Sequence, residues 1–168
     1  MTGERRDIIL NAIRNDSELK KNVITRESII KQLKEKGLKV TPQRLAIIEV
    51  LLENKDLHPG ARLLYKEARK KKKSLSLSTT YATLNELSRH GIIKTLQFDK
   101  MEDRYEENLE EHINLICERC KKILDYNVPI TVDPKRVMKK TGFSITDTRL
   151  EYYGFCRECR EEEGSRKG

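Results

Sequence analysis

Isoleucine, leucine and alanine recur every three or four residues through roughly the first ninety positions, and then the apolar period drops to about two. Helices are therefore expected first and strands afterwards. Residues 1–23 place Ile8, Ile9, Ala12 and Ile13 on one side of a short helix. A second helix follows Thr25, a capping residue, with Ile29, Ile30 and Leu33 as its stripe and Gly37 as its stop. Thr41 and Pro42 supply an N-cap and a first-turn proline for a third, whose stripe of Leu45, Ile48 and Leu52 runs to about Asn54. His58 and Pro59 open another helix, with Ala61, Leu64, Tyr65 and Ala68 buried and the basic run Arg69 to Lys73 closing it.

The segment STTYATLNELSRHG, from Ser78, has two separable faces. Thr80, Leu84 and Leu87 suit a core, whereas Tyr81, Asn85 and Ser88 form a hydrogen-bonding stripe that a core does not need. Such a helix suits a major groove, with Thr79 and Tyr81 near the end that approaches base edges. After Gly91, IIKTLQF and DRYEEN read as two strands joined by the polar turn DKMED. Helices followed by a hairpin describe a winged helix-turn-helix. Residues 109–111 read as a hinge. Beyond it the pattern predicts strands over Asn114 to Cys117 and Ile123 to Tyr126, a helix near Pro134 to Lys140, and a long strand from Phe143 to Phe155.

The fold class expected is α+β. An N-terminal extension (1–23) precedes a winged helix-turn-helix DNA-binding domain (24–108), the hinge (109–111), a small C-terminal α/β dimerisation and metal-sensing domain (112–162) and a flexible tail (163–168). So small a C-terminal sheet needs support, and zinc and dimerisation are the usual remedies.

Charge sharpens this division. The net charge is +8, yet residues 1–96 carry 21 Lys and Arg against 11 Asp and Glu, while residues 97–168 carry 14 against 16. A basic first half seeks a polyanion, and nucleic acid explains the segregation better than solubility does. No apolar run approaches the ~18 residues of a membrane span, and MTGERRDII lacks a signal-peptide core, so a cytoplasmic protein with no membrane partner is expected.

All four cysteines lie in two C-x-x-C pairs, Cys117 with Cys120 and Cys156 with Cys159. Each pair puts two thiolates on one turn, and two turns complete a closed four-sulfur shell for a structural Zn2+. The competing reading is a redox switch that loses zinc on oxidation. A second site is suggested by His58, Glu106, His112 and Asp125, a nitrogen and oxygen donor set that suits Fe2+ or Mn2+. His90, beside Arg89, reads as a solvated residue near phosphate. The thiolate site leaves no open position, no H-E-x-x-H occurs, and no nucleophile stands beside a base in any motif, so an enzyme is not expected.

GLKVTPQRLAIIEVLL, HPGARLLY, SLSTTYATLNELSRHGII, HINLICERCKKILDY and RLEYYGFCREC stand in the order and near-spacing of the ferric-uptake-regulator (Fur) family, which the chain resembles over about residues 28–162. The resemblance implies a homodimeric winged-helix repressor whose structural zinc is held by Cys117, Cys120, Cys156 and Cys159. It also implies a regulatory metal held by His58, Glu106, His112, Asn114 and Asp125. Aspartate at the last of these positions resembles the peroxide-sensing branch, PerR, in which Fe2+ reacts with peroxide, a ligand histidine is oxidised and DNA is released. The histidines concerned match His58 and His112. Asn114 departs from the family pattern, which has histidine there, and the segment Asp147 to Glu151 lacks the histidine of a further family site.

The function expected is a metal-dependent, DNA-binding transcriptional repressor that responds to peroxide through Fe2+ or Mn2+ between the domains. The alternatives are a regulator of iron, manganese or zinc homeostasis that ignores peroxide, or a metal-independent DNA-binding protein. Contacts to a palindromic operator in double-stranded DNA are expected from Lys39, which matches a family lysine that reaches the minor groove, and from Lys70, Lys71, Lys72, Lys73, Ser78, Thr79, Thr80, Tyr81 and Asn85. Tyr81 matches the base-contacting tyrosine of the family, while Ala82 stands where a longer polar residue is common.

Overall fold

A computed structural model of the chain describes residues 24–98, 101–127 and 133–165. The helix expected within residues 1–23 lies outside them. Four helices come first: α1 (Arg26–Glu35), α2 (Pro42–Glu53), α3 (Ala61–Lys71) and α4 (Leu77–Arg89). Thr25 caps α1 in a reciprocal pair with Ser28, and Thr41 accepts the Arg44 N–H to cap α2 with Pro42 in its first turn. Gly37 adopts a φ of 68°, which only a residue without a Cβ reaches cheaply, so α1 stops there.

Helix α2 is buried more widely than its predicted stripe. Ala46, Ile47, Ile48, Val50 and Leu51 are all buried, while Leu45 and Leu52 are only half-buried. The reason is position: α2 packs against α1, α3 and α4, and a central helix is apolar nearly all round. With Ile29, Leu33, Leu64, Leu84, Leu87, Ile92 and Tyr105 it makes one continuous core.

His58 and Pro59 do not open α3. A single 3-10 turn (Lys55–Leu57) ends at His58 in the left-handed region, and α3 begins at Ala61 with Gly60 as a cap that offers no side chain. The missing cap comes from the wing: the Arg62 N–H donates to Glu102 Oε1 at 2.8 Å. A Cβ on Gly60 would stand 2.5 Å from Glu102 Oε2. Replacing Glu102 by alanine is therefore expected to cost about 1 kcal/mol and to lower Tm by roughly 4 °C in a thermal melt. An unchanged Tm would mean that the cap is idle.

The hairpin is shorter than its pattern suggested. Strands β1 (Lys94–Leu96) and β2 (Arg104–Glu106) pair antiparallel over three positions, Lys94 opposite Glu106. A bridge from Gly60 to Arg104 and a hydrogen bond from the Tyr105 N–H to the Pro59 carbonyl dock β2 on the His58–Gly60 turn.

A three-stranded sheet follows in the order β4-β3-β5, with β3 (Ile113–Cys117) antiparallel to β4 (Ile123–Tyr126) and parallel to β5 (Glu151–Gly154). Between β4 and β5 lies α5 (Pro134–Thr141), capped by Asp133 and ended by Gly142 in the left-handed region. The strand expected from Phe143 to Phe155 is reduced to its last third. Strand β3 offers Asn114 to Cys117 as partners, and residues 144–149 form a loop in which Asp147 accepts from the Thr148 N–H and pairs with Arg149, whose guanidinium also reaches Gln97. The expected tail begins as helix: α6 (Arg157–Ser165) continues from the second cysteine pair, without an apolar stripe to announce it. Its C-terminal neighbours 166–168 lie outside the described residues.

One small cluster, Leu96, Ile116 and Ile123 with Phe98 against it, joins the wing to the sheet. No helix among the described residues is long and apolar enough to cross a membrane.

Candidate metal centres

Strand β3 runs into the first cysteine pair and β5 runs into the second, so parallel pairing brings both C-x-x-C turns to one end of the sheet. Cys117 and Cys159 are buried, Cys156 is half-buried and Cys120 is exposed. The four sulfurs lie within 4.8 Å of one another, with Cys120 Sγ and Cys156 Sγ 3.7 Å apart. Four sulfurs bound at ~2.3 Å around one tetrahedral ion would sit roughly 3.8 Å apart, which these positions approximate. The Cys156 N–H lies against Cys117 Sγ at 3.4 Å and lowers that thiol to about 6. Despite the Cys159 N–H, Cys156 is pushed up to about 12 by Glu158 and the neighbouring thiols, and burial raises Cys159, so four thiolates together need a cation to offset their charge. Arg119, inside the first pair, donates to the Cys159 carbonyl at 2.8 Å and pairs with Glu162 at 3.2 Å, fastening the two turns together.

The second cluster draws on both halves of the chain. His58 comes from the left-handed turn before α3, Glu106 from the end of β2, and Asp125 from β4. His58 Nε2 lies 2.8 Å from Asp125 Oδ1 and 3.4 Å from Glu106 Oε2. His112, just before β3, places its Nε2 3.4 Å from Glu106 Oε2 and 3.8 Å from Asp125 Oδ1. His58 is 1% exposed, Glu106 2% and His112 5%.

Although these contacts are short, their hydrogen-bond geometry is poor. His58 Nε2, His112 Nε2 and both Glu106 oxygens are buried without an aligned partner, as is Asn114 Oδ1. Buried polar atoms are rarely left so. His58, Glu106 and Asp125 form a cluster with the spacing of metal ligands, and His112 stands at its edge, close to Glu106 and Asp125 but outside that group of three.

The ring of His112 is fixed from behind. Its Nδ1 lies 2.8 Å from the Glu110 carbonyl, which can only accept, so in the neutral ring Nδ1 keeps the proton and Nε2 offers its lone pair. The Glu110 N–H donates to Asn108 Oδ1 at 3.1 Å and closes the turn that holds this carbonyl. Sequence reasoning missed Asn108, Glu110 and Glu102, because supporting roles of this kind carry no motif.

Electrostatics agree with the geometry. Burial alone would lower His58, but the neighbouring Asp125 and Glu106 carboxylates outweigh it and hold the imidazole up at about 9. Burial would raise Glu106, yet His112 and His58 hold it down at about 2. His112 is raised, chiefly by Glu106. Protons thus balance the carboxylates where a divalent cation would take over.

Asn114 is buried, directly opposite Asp125 in the sheet register, and lines the same cleft as Glu106 and His112. Its carboxamide offers a weak oxygen donor where an imidazole would be stronger.

On α4, Tyr81 and Asn85 are exposed, Thr79 and Ser88 half-buried, and Ser78 exposed. Helix α4 starts one residue before the expected Ser78, with Ser76 as its cap, and the Ser76 hydroxyl also touches those of Ser78 and Thr79. Thr80 does not belong among the DNA contacts: its side chain is fully buried and its hydroxyl donates to the Ser76 carbonyl at 3.0 Å. The lysine run is also partly committed, with Lys70 paired to Glu67 and Lys71 to Glu53 and Glu49. Lys72, Lys73 and Lys39 make no ion pair among the described residues. Lys39 and Lys73 are exposed and Lys72 half-buried.

Comparison with known proteins places these features in context. A profile described as the ferric uptake regulator family matches residues 35–153. The peroxide operon regulator of Bacillus subtilis is 36% identical over 135 residues, covering 80% of this chain and 92% of its own. The peroxide-responsive repressor PerR of Staphylococcus epidermidis is 34% identical over 137 residues, covering 81% and 91%. The solved structure of the Helicobacter pylori ferric uptake regulator, described as revealing three functional metal binding sites, is 29% identical with a TM-score of 0.64, covering 83% of this chain and 97% of that one.

Proposed function

The chain belongs to the ferric uptake regulator family, and we propose that it is a metal-dependent transcriptional repressor that responds to peroxide. The observation that carries this reading is the convergence of His58 and Glu106, from the helical half and its wing, with His112 and Asp125 from the sheet. A cation shared by these four side chains favours the arrangement in which the two halves are docked, and only such differential affinity moves a conformational equilibrium.

Residues 24–108 act as the winged-helix DNA-binding domain, 109–111 as the hinge and 112–162 as the dimerisation domain. Helix α4 enters the major groove with Tyr81 and Asn85 toward base edges and Ser78 and Thr79 near its start, while Lys39, Lys72 and Lys73 face phosphate or the minor groove. Lys70 and Lys71 contribute only as far as their carboxylate partners release them. Zinc in the four-cysteine site holds the sheet together.

A second copy of the chain covers the apolar sheet face. Leu124, Tyr126 and Tyr152 are 42%, 48% and 63% exposed, and α5 buries none of its residues in a single chain. Uncovered apolar area of this kind marks an interface, and a symmetric dimer matches a palindromic operator.

Fe2+ at the second site would supply the electrons that reduce peroxide, and Mn2+ would fill the same site without that reactivity. His58 and His112 present buried Nε2 atoms to the metal position, so their rings are the nearest oxidisable groups. Loss of one imidazole removes a ligand that joins the two halves. The test is anaerobic loading with Fe2+ or Mn2+, brief peroxide, and mass analysis of the peptides bearing His58 and His112. The expected result is an added oxygen on either histidine in the iron form alone, with release of DNA. Metal-promoted DNA binding with both histidines untouched would make the protein a metal-homeostasis regulator instead.

A further inference from the structure

Arg44 stands in the first turn of α2 with its side chain 12% exposed. Its guanidinium reaches two ways. Nη1 donates to the Lys39 carbonyl at 2.5 Å, and Nη2 donates to Glu86 Oε2 on α4, a carboxylate 31% exposed. Nε is buried without a hydrogen-bond partner. Residues 38–40 have no regular structure; Leu38 is anchored by its N–H to the Leu33 carbonyl and by packing against the helical core, and at Lys39 itself the Arg44 guanidinium holds the backbone carbonyl. Glu86 follows Asn85 directly on the helix that carries Tyr81.

We infer that Arg44 is a positioning residue for DNA recognition: bridged to Glu86, it fixes the Lys39 segment against α4, so that Lys39 and the Tyr81–Asn85 stripe meet DNA as one rigid surface. This rests on the DNA-binding reading above. A largely buried ion pair adds little stability over an apolar pair of similar volume, so what distinguishes this one is geometry. A planar guanidinium can hold two acceptors at a fixed angle, which the point charge of lysine does not do. Glu86 sets the guanidinium plane, and the free arm then sets where the Lys39 backbone lies. Lys39 itself remains exposed, its ammonium available to phosphate or the groove.

The test uses the full-length, zinc-loaded protein with Mn2+, and as probe a duplex selected by the wild type from a random-sequence pool. Affinity is measured between about 50 and 200 mM salt for K39A, R44K, the double variant R44M/E86L, and that double variant with K39A added. Lys39→Ala should reduce the slope of log affinity against log salt by about two units, one for each subunit of the dimer. The double variant should melt no lower than wild type, lose the same part of the slope, weaken about tenfold and gain no further loss from K39A. R44K, which keeps the charge and guards against a folding defect in the double variant, should behave likewise. Wild-type affinity and slope in R44K or R44M/E86L would overturn the inference, as would K39A exerting its full effect on top of the double variant. If the wild type selects no duplex at all, the DNA-binding reading itself falls.

Discussion

Stripping the metal from Cys117, Cys120, Cys156 and Cys159, or replacing Cys159 by serine, will unfold the C-terminal sheet while leaving the helical core folded. The two parts rest on different supports. Among the described residues, the core around α2 joins sixteen buried residues from Ile29 to Tyr105, whereas the sheet shares in a cluster of three, one of which, Leu96, belongs to the wing. Helix α5 contributes no buried residue at all. What closes the sheet is the cysteine cluster, which ties β3 to β5 across the 35 residues between Cys120 and Cys156. A structural zinc supplies on the order of 10 kcal/mol, comparable with the whole stability of a domain. Hydrogen exchange should therefore show protection lost across Ile113–Gly154 and kept in α2 and α4. Undiminished protection of the sheet in the metal-free protein would show that the cysteines are ornamental to the fold.

The second large effect concerns the cluster of His58, Glu106, His112 and Asp125. Replacing His58 or His112 by alanine should abolish tight Mn2+ binding while zinc content stays at one per chain. Even groups that merely support a ligand cost about 10- to 100-fold in affinity when removed, and these imidazoles are two of only a few donors, so their loss should exceed that range. Each variant also leaves Glu106, buried and held down at about 2 by those same histidines, without one of its compensating partners. Asn114→His provides the opposite sign. It places an imidazole beside Asp125 where an amide now stands, so it should tighten binding and favour Zn2+, which prefers nitrogen donors more than Mn2+ does. Calorimetric titration with each metal reads all of these changes. Unaltered Mn2+ affinity in His112→Ala would remove that residue from the site.

Much of this was legible in the residues because local rules and tertiary context agreed. Thr25, Thr41 and Gly37 set helix ends where their backbone chemistry allows, and the alternation of Thr80, Leu84 and Leu87 with Tyr81 and Asn85 separated an inner from an outer face. Reading failed where a neighbour decided. Helix α2 is apolar beyond one stripe because it sits among three helices, and β5 is short because β3 offers it few partners. The Thr80 hydroxyl looked available to DNA but turns inward to the Ser76 carbonyl. His58 illustrates both sides. Its identity and its adjacent proline suggested a ligand or a cap, yet only the fold reveals that a left-handed turn aims it at Glu106 and Asp125. Arg44 and Glu86 lie 42 residues apart, and no motif announces their pairing.

The most direct test of the central claim is DNA affinity as Fe2+ or Mn2+ is titrated anaerobically into zinc-loaded protein, wild type and His58→Ala side by side. If metal at the His58, Glu106, His112 and Asp125 cluster docks the two halves, binding by the wild type should strengthen about 100-fold or more as metal is added, since a population shift of that size needs a comparable affinity difference between states. His58→Ala should stay at the weak, metal-free level. Equal, tight DNA binding by both proteins with zinc in place and no second metal would contradict the claim.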